Sequence, residues 1–205
     1  MKPQSYVLYG GKVSVSCNPK HRGAWIFIVG PSGAGKDTIM EQARLALKND
    51  ERIRFARRVV TRPQNEFEEH DTLSQEEFEE QKSRGHFVLW WQAHQLHYGI
   101  RQEWQSQVAN GKIVVCNVSR TILPDIERRV RGLTKVVLVT APPEILAARI
   151  AMRGRDSAQG SRTTRNLDDS VRAIANLVIE NTGTPDQAGD ALAHFLKSPD
   201  VAMTP

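Results

Sequence analysis

Residues Gly30 to Thr38 read Gly-Pro-Ser-Gly-Ala-Gly-Lys-Asp-Thr and follow directly on the apolar run Ala24-Trp25-Ile26-Phe27-Ile28-Val29. Glycines let a chain wrap with its N–H groups turned inward, and a lysine opening a helix adds a full charge to the partial positive charge of the helix N-terminus. A strand, such a loop and a helix in that order form a phosphate-binding loop, which holds the di- or triphosphate of a nucleotide. Gly30, Pro31, Ser32, Gly33, Ala34, Gly35, Lys36, Asp37 and Thr38 are the expected nucleotide contacts. The bland alternative is a glycine-rich turn between a strand and a helix. Asp37 departs from the usual pattern, in which Ser or Thr offers a hydroxyl to Mg2+. A carboxylate also ligates a hard cation and Thr38 is the next hydroxyl, so both are candidate metal ligands. The competing reading is that a negative charge beside the phosphates weakens nucleotide binding.

Phosphoryl transfer is mainly positioning and charge stabilisation, so cations beyond Lys36 are needed. Arg149, Arg153 and Arg155 supply them, with Arg162 and Arg165 following. Arginines four apart share a helix face, and a flexible continuation can close them over a phosphoryl group. A solvated helix end is the plain alternative. For the acceptor, Arg58, Arg62 and Arg120 offer forks that match phosphate oxygens, and Asn117 and Ser119 suit sugar hydroxyls. His70, His94 and His97 have no metal-cluster spacing and divide between phosphate or acid–base roles and packing. Trp90, Trp91 and Tyr98 read as core of a small insertion before base-stacking platforms. An acceptor that is already a phosphate dianion requires no general base.

These residues need elements to carry them. The periodicity predicts a helix from Asp37 to Lys48, a strand from Ile53 to Val60 ended by Pro63, and a short helix to Ser83 with a capping box at Ser74 and Glu77. Phe87 to Trp91 and Leu96 to Ile100 read as two strands of an antiparallel acceptor-binding insertion. Glu103 to Asn110 is a helix, and Ile113 to Asn117 and Val136 to Val139 are buried strands. Glu144 to Met152 is a helix, Asp169 to Glu180 is read as a helical stretch leading to Val178-Ile179, and Pro185 to Leu196 closes the fold. Alternating buried strands and helices give a three-layer α/β/α architecture with a parallel sheet, in which ligands sit at the carboxyl ends of strands. The expected domains are an extension at 1–23, a possible hairpin, and a kinase domain at 24–197. That domain has its insertion at about 57–100 and an arginine-rich lid at about 153–166, and a frayed tail follows at 198–205.

At 205 residues the chain has room for one well-buried core. A formal charge of +5 suits phosphorylated small molecules. No basic run with interleaved aromatics supports a nucleic-acid partner. Cys17 and Cys116 are the two cysteines and support neither a disulfide framework nor a zinc site. No apolar stretch reaches the roughly 18 residues of a membrane span. A soluble cytoplasmic protein of unspecified oligomeric state is expected.

The order G-P-S-G-A-G-K at Gly30, T-R-P at Thr61, L-S-Q-E-E-F at Leu73 and G-H-F-V-L-W-W-Q-A-H-Q-L-H-Y-G-I at Gly85 resembles guanylate kinase over most of residues 24 to 197. Guanylate kinases carry a base-reading Glu where Leu89 stands, and D-x-D-x-Q-G where this chain has Cys116-Asn117-Val118-Ser119-Arg120. The departures are similar to the ribose 1,5-bisphosphate phosphokinases of bacterial phosphonate breakdown. Their features look like G-P-S-G-x-G-K-D at Gly30 to Asp37, R-x-x-T-R at Arg58 to Arg62, and His70 before L-S-x-x-E-F. W-x-A-x-x-L-x-Y-G at Trp91 to Gly99, N-x-S-R-x-x-L-P at Asn117 to Pro124 and R-G-R at Arg153 to Arg155 complete the set. The resemblance implies transfer of the ATP γ-phosphoryl group, with Mg2+, to the 1-phosphate of ribose 1,5-bisphosphate, giving 5-phosphoribosyl 1-diphosphate. It implies acceptor roles for His70 and Tyr98 beside the residues above. The rivals are a nucleoside monophosphate kinase with relaxed base recognition and a non-catalytic guanylate-kinase-like interaction module.

Overall fold

The run Ala24–Val29 has no hydrophilic side chain and forms the central strand, β1, with all six residues fully buried. Side chains alternate across a strand, so Ala24, Ile26 and Ile28 enter one apolar layer while Trp25, Phe27 and Val29 enter the other. A strand covered on both faces belongs inside a parallel sheet between two helical layers. The computed structural model describes residues 23–64, 70–152, 169–198 and 201 and has this architecture.

In chain order the elements are β1 (Ala24–Val29), α1 (Lys36–Ala46), β2 (Ile53–Phe55), β3 (Arg58–Val60), β4 (Asp71–Thr72), α2 (Gln75–Ser83), β5 (Phe87–Ala93), β6 (Leu96–Arg101), α3 (Glu103–Ala109) and β7 (Ile113–Asn117). A 3-10 turn (Arg120–Ile122), α4 (Leu123–Arg129), β8 (Leu133–Thr140), α5 (Pro143–Met152), a helical stretch α6 at 169–174, β9 (Leu177–Glu180) and α7 (Pro185–Lys197) follow. The main sheet is parallel throughout, in the order β2-β7-β1-β8-β9. Because β7 and β8 flank β1 on opposite sides, the strand order reverses at β1 and opens a crevice at its carboxyl end. Ile39 and Ala43 of α1 and Leu192 and Leu196 of α7 cover one face; Val108 of α3, Ile126 of α4 and Val171 of α6 cover the other.

The insertion is a second sheet, β4-β3-β6-β5. Phe78 of α2 packs on it against Val59 and Phe87. The Ser74 hydroxyl accepts from Glu77 N–H at 3.1 Å and the Glu77 carboxylate accepts from Ser74 N–H at 2.8 Å, the expected capping box, worth about 1 kcal/mol. A bulge between Phe87 and Leu89 breaks the alternation, so Leu89 and Trp91 face the main core while Phe87 faces α2.

Two expected elements differ. The strand drawn from Ile53 to Val60 is two strands in two sheets. β2 pairs with β7, and after Ala56 the chain crosses so that Arg58 pairs with Ile100 of β6. The apolar pattern is continuous across the crossing, but the hydrogen-bond partners change. Likewise the helical stretch from Asp169 ends at 174, and Leu177–Glu180 is a strand paired with the outer edge of β8. An available edge overrides weak local helical periodicity. The expected hairpin at 1–23 apart from Gly23, the tail from Pro199 apart from Val201, and the expected lid residues Arg153, Arg155, Arg162 and Arg165 lie outside the described residues.

Candidate active site

The chain leaves β1 through Gly30, whose φ is 151° and where a Cβ would collide with the Val139 carbonyl of β8. It enters α1 through Gly35 at φ 86°, a left-handed N-cap; a Cβ there would sit 2.5 Å from Asn181 Nδ2. Between these points the Ala34 N–H closes a turn on the Pro31 carbonyl at 3.3 Å. Lys36 folds back over the loop, and its Nζ donates to the Gly30 carbonyl at 3.0 Å and the Pro31 carbonyl at 2.9 Å.

Asp37 is the junction between the loop and the rest of the crevice. Its Oδ1 accepts from Asn117 Nδ2 at 2.8 Å and lies 3.5 Å from Arg58 Nη2. Asn117 ends β7 and is buried; Arg58 opens β3 with its side chain 12% exposed. The Arg58 guanidinium stands 6.0 Å from the Tyr98 ring centroid, and Tyr98 stacks on Trp91 at 5.4 Å. Three distant segments thus meet at one carboxylate. The neighbouring Cys116 is fully buried, and burial pushes its thiol far up, with the Arg58 charge pulling weakly the other way. It is a packing residue.

Arg149 approaches the loop from the opposite side. Its Nη2 donates to the Asn181 carbonyl at 3.1 Å, while its buried Nη1 has no hydrogen-bond partner among the described residues. Arg149 and Asn181 line a hollow with Gly35, Thr38, Met152, Gly183 and Pro185. Asn181 is missing from the sequence reading; the Asn-Thr-Gly-Thr-Pro run after a β-branched segment is the signal that could have found it.

The remaining candidates are more peripheral. Ser119 caps the 3-10 turn, its Oγ accepting from Thr121 N–H at 3.3 Å, and Arg120 lies in that turn. Arg62 Nη1 donates to the Pro63 carbonyl at 3.2 Å. His70 is fully buried in the insertion, with Nδ1 3.2 Å from the Asp71 carbonyl. His97 stacks on Phe78 at 5.3 Å, and His94 sits in the turn joining β5 to β6. Leu89 is fully buried. Among the described residues no three His, Cys, Asp or Glu side chains gather around a common point for a metal, and no helix is long and apolar enough to cross a membrane.

No family model matches the chain. A ribose 1,5-bisphosphate phosphokinase PhnN of Methylobacterium radiotolerans is 43% identical over 176 residues, covering 86% of this chain and 98% of that one. Proteins of the same name from Brucella melitensis and Acidiphilium cryptum are 41% and 42% identical, covering 85% and 89% of this chain and 92% and 98% of theirs. Among solved structures, guanylate kinase from Anaplasma phagocytophilum superposes with a TM-score of 0.64 at 15% identity, covering 90% of this chain and 89% of that one, a likeness of fold. Identity at this level along nearly the whole length of each relative is common descent, and the chain belongs to the ribose 1,5-bisphosphate phosphokinase family.

Proposed function

We propose that the chain transfers the γ-phosphoryl group of ATP to the 1-phosphate of ribose 1,5-bisphosphate, the substrate in its relatives' name, releasing ADP and 5-phosphoribosyl 1-diphosphate. An oxygen of the sugar 1-phosphate attacks the γ-phosphorus, and the bond from that phosphorus to the β-phosphate oxygen breaks. The observation that carries the reading is the Arg58–Asp37–Asn117 junction, which sets a largely buried arginine beside the loop that takes the donor phosphates.

The loop from Gly30 to Thr38 receives the β- and γ-phosphates on its N–H groups. Lys36 exchanges its loop carbonyls for phosphate oxygens. The hollow between Gly35, Arg149 and Pro185 takes the nucleoside end. Arg149, whose Nη1 is unpartnered among the described residues, stabilises charge in transfer, and Arg153 and Arg155 are assigned the same task. Arg58, Arg62, His70, Tyr98, Asn117, Ser119 and Arg120 form the acceptor side. Of these, Arg58 and Asn117 meet the donor loop directly, through Asp37. Asp37 and Thr38 pair a carboxylate with an exposed hydroxyl at the helix start, a donor set of hard oxygens that fits Mg2+. That ion would neutralise charge on the β- and γ-phosphates. The fully buried Leu89 supplies no acid to read a guanine edge.

A coupled ADP-release assay with ATP and Mg2+, comparing ribose 1,5-bisphosphate with GMP and followed by 31P NMR of the product, tests the reading. A new diphosphate doublet with the sugar phosphate and none with GMP is expected. Turnover of GMP alone would make the chain a nucleoside monophosphate kinase, and silence on both substrates would make it an interaction module. Lys36→Ala should lower turnover by about 100-fold or more; unchanged turnover would remove Lys36 from the mechanism.

A further inference from the structure

Among the described residues the buried polar side chains are His70, Asn117 and Asn181. Asn117 holds Asp37, and Asn181 holds the loop from the other flank. A carboxamide costs free energy to bury unless it is hydrogen-bonded, and the bonds of Asn181 are unusually distributed. Its Nδ2 donates to the Ala34 carbonyl at 2.9 Å, 147 residues away in the chain. Its backbone N–H donates to the Thr140 carbonyl at 2.8 Å at the end of β8, and its own carbonyl accepts Arg149 Nη2 at 3.1 Å. One residue therefore fixes the phosphate-binding loop and the α5 arginine to the same strand end.

The peptide bond gives this contact a consequence for the ligand. The C=O of Ala34 and the N–H of Gly35 belong to one planar trans unit and point in opposite directions. Holding the carbonyl on Asn181 turns the Gly35 N–H away from Asn181. Gly35 is the residue at which a Cβ would come within 2.5 Å of that Nδ2, so the glycine also makes room for the asparagine. We infer that Asn181 is a positioning residue for the phosphoryl donor, setting the Ala34–Gly35 peptide and Arg149 in register before the nucleotide arrives. The inference rests on the reading of the loop as a nucleotide-phosphate site and adds a residue to it.

The test is binding of ATP and of adenosine, each by competition against a fluorescent ATP analogue with no acceptor present, to the wild-type chain, Asn181→Ala and Asn181→Asp. Thermal melting is followed in parallel. Loss of one buried hydrogen bond should weaken ATP binding by about tenfold in Asn181→Ala, and adenosine binding, which engages the hollow but not the phosphate-binding loop, by clearly less. In Asn181→Asp a carboxylate faces the Ala34 carbonyl and repels it, so ATP binding should fall further although side-chain volume is kept. A role in filling space alone reverses that order. Unchanged ATP affinity in both folded variants, or an equal loss for adenosine, which would mean contact with the base, overturns the assignment. A wild-type chain that binds neither compound overturns the nucleotide reading itself, a result distinct from either.

Discussion

Asp37 occupies the position where a hydroxyl usually meets the metal, and the geometry gives its charge a partner outside the loop, Arg58 of β3. A carboxylate that accepts from Asn117 and faces Arg58 couples the loop to β7 and β3 through a hydrogen bond and an ion pair. Groups sharing such a network act non-additively. Asp37→Ala and Asn117→Ala should each lower kcat/KM for the acceptor, and the double variant should lose less than the two losses together, with a coupling energy of about 1 kcal/mol. Strictly additive losses in a double-mutant cycle would reduce the junction to two independent contacts. Two of the expected site residues, Arg153 and Arg155, follow directly in sequence on the described end of α5, the helix that carries Arg149.

Among the elements, the β5–β6 hairpin carries a local cost. Its two turn residues, His94 and Gln95, both lie in the left-handed region, at φ 52° and 61°. The right-handed twist of paired strands selects such a turn, and glycine or asparagine normally supplies it. The hairpin tolerates its turn because the strands are tied by packing: Trp91 stacks on Tyr98, and Lys82 and Arg129 approach the Trp90 ring at 4.3 and 5.1 Å. Gln95→Gly should therefore stabilise the protein by about 1 kcal/mol, read as a rise in the chemical denaturation midpoint at constant slope. A fall in midpoint would mean that the Gln95 side chain makes a contribution larger than its backbone cost.

At the scale of the whole molecule the insertion and the core share one apolar layer, because Val88, Leu89, Trp91 and Ile100 pack with Trp25, Phe27 and Val114. Leu89 thus supports the fold at the position where a base-reading acid would otherwise stand. Leu89→Glu should destabilise the protein by about 3 kcal/mol or more, since it buries a charge without a partner, and should not confer phosphorylation of GMP. A stable variant with GMP turnover would show that the pocket, and not the core, owns this position. The sequence alone determined the features whose physics is local: the phosphate-binding loop with its glycines and Lys36, the Ser74–Glu77 capping box, the buried β1 and the class of architecture. Asn117 was legible because it ends a strand of the parallel sheet, where ligands gather, whereas Arg58 opens β3 of the second sheet and reaches the loop only through the crossing after Ala56. Only the tertiary structure decided that residues 53–60 divide between two sheets, that 177–180 is a strand, and that Asn181 holds the loop. Each depends on which edge or carbonyl lies nearby in space, and no periodicity records a hydrogen bond between residues 147 apart.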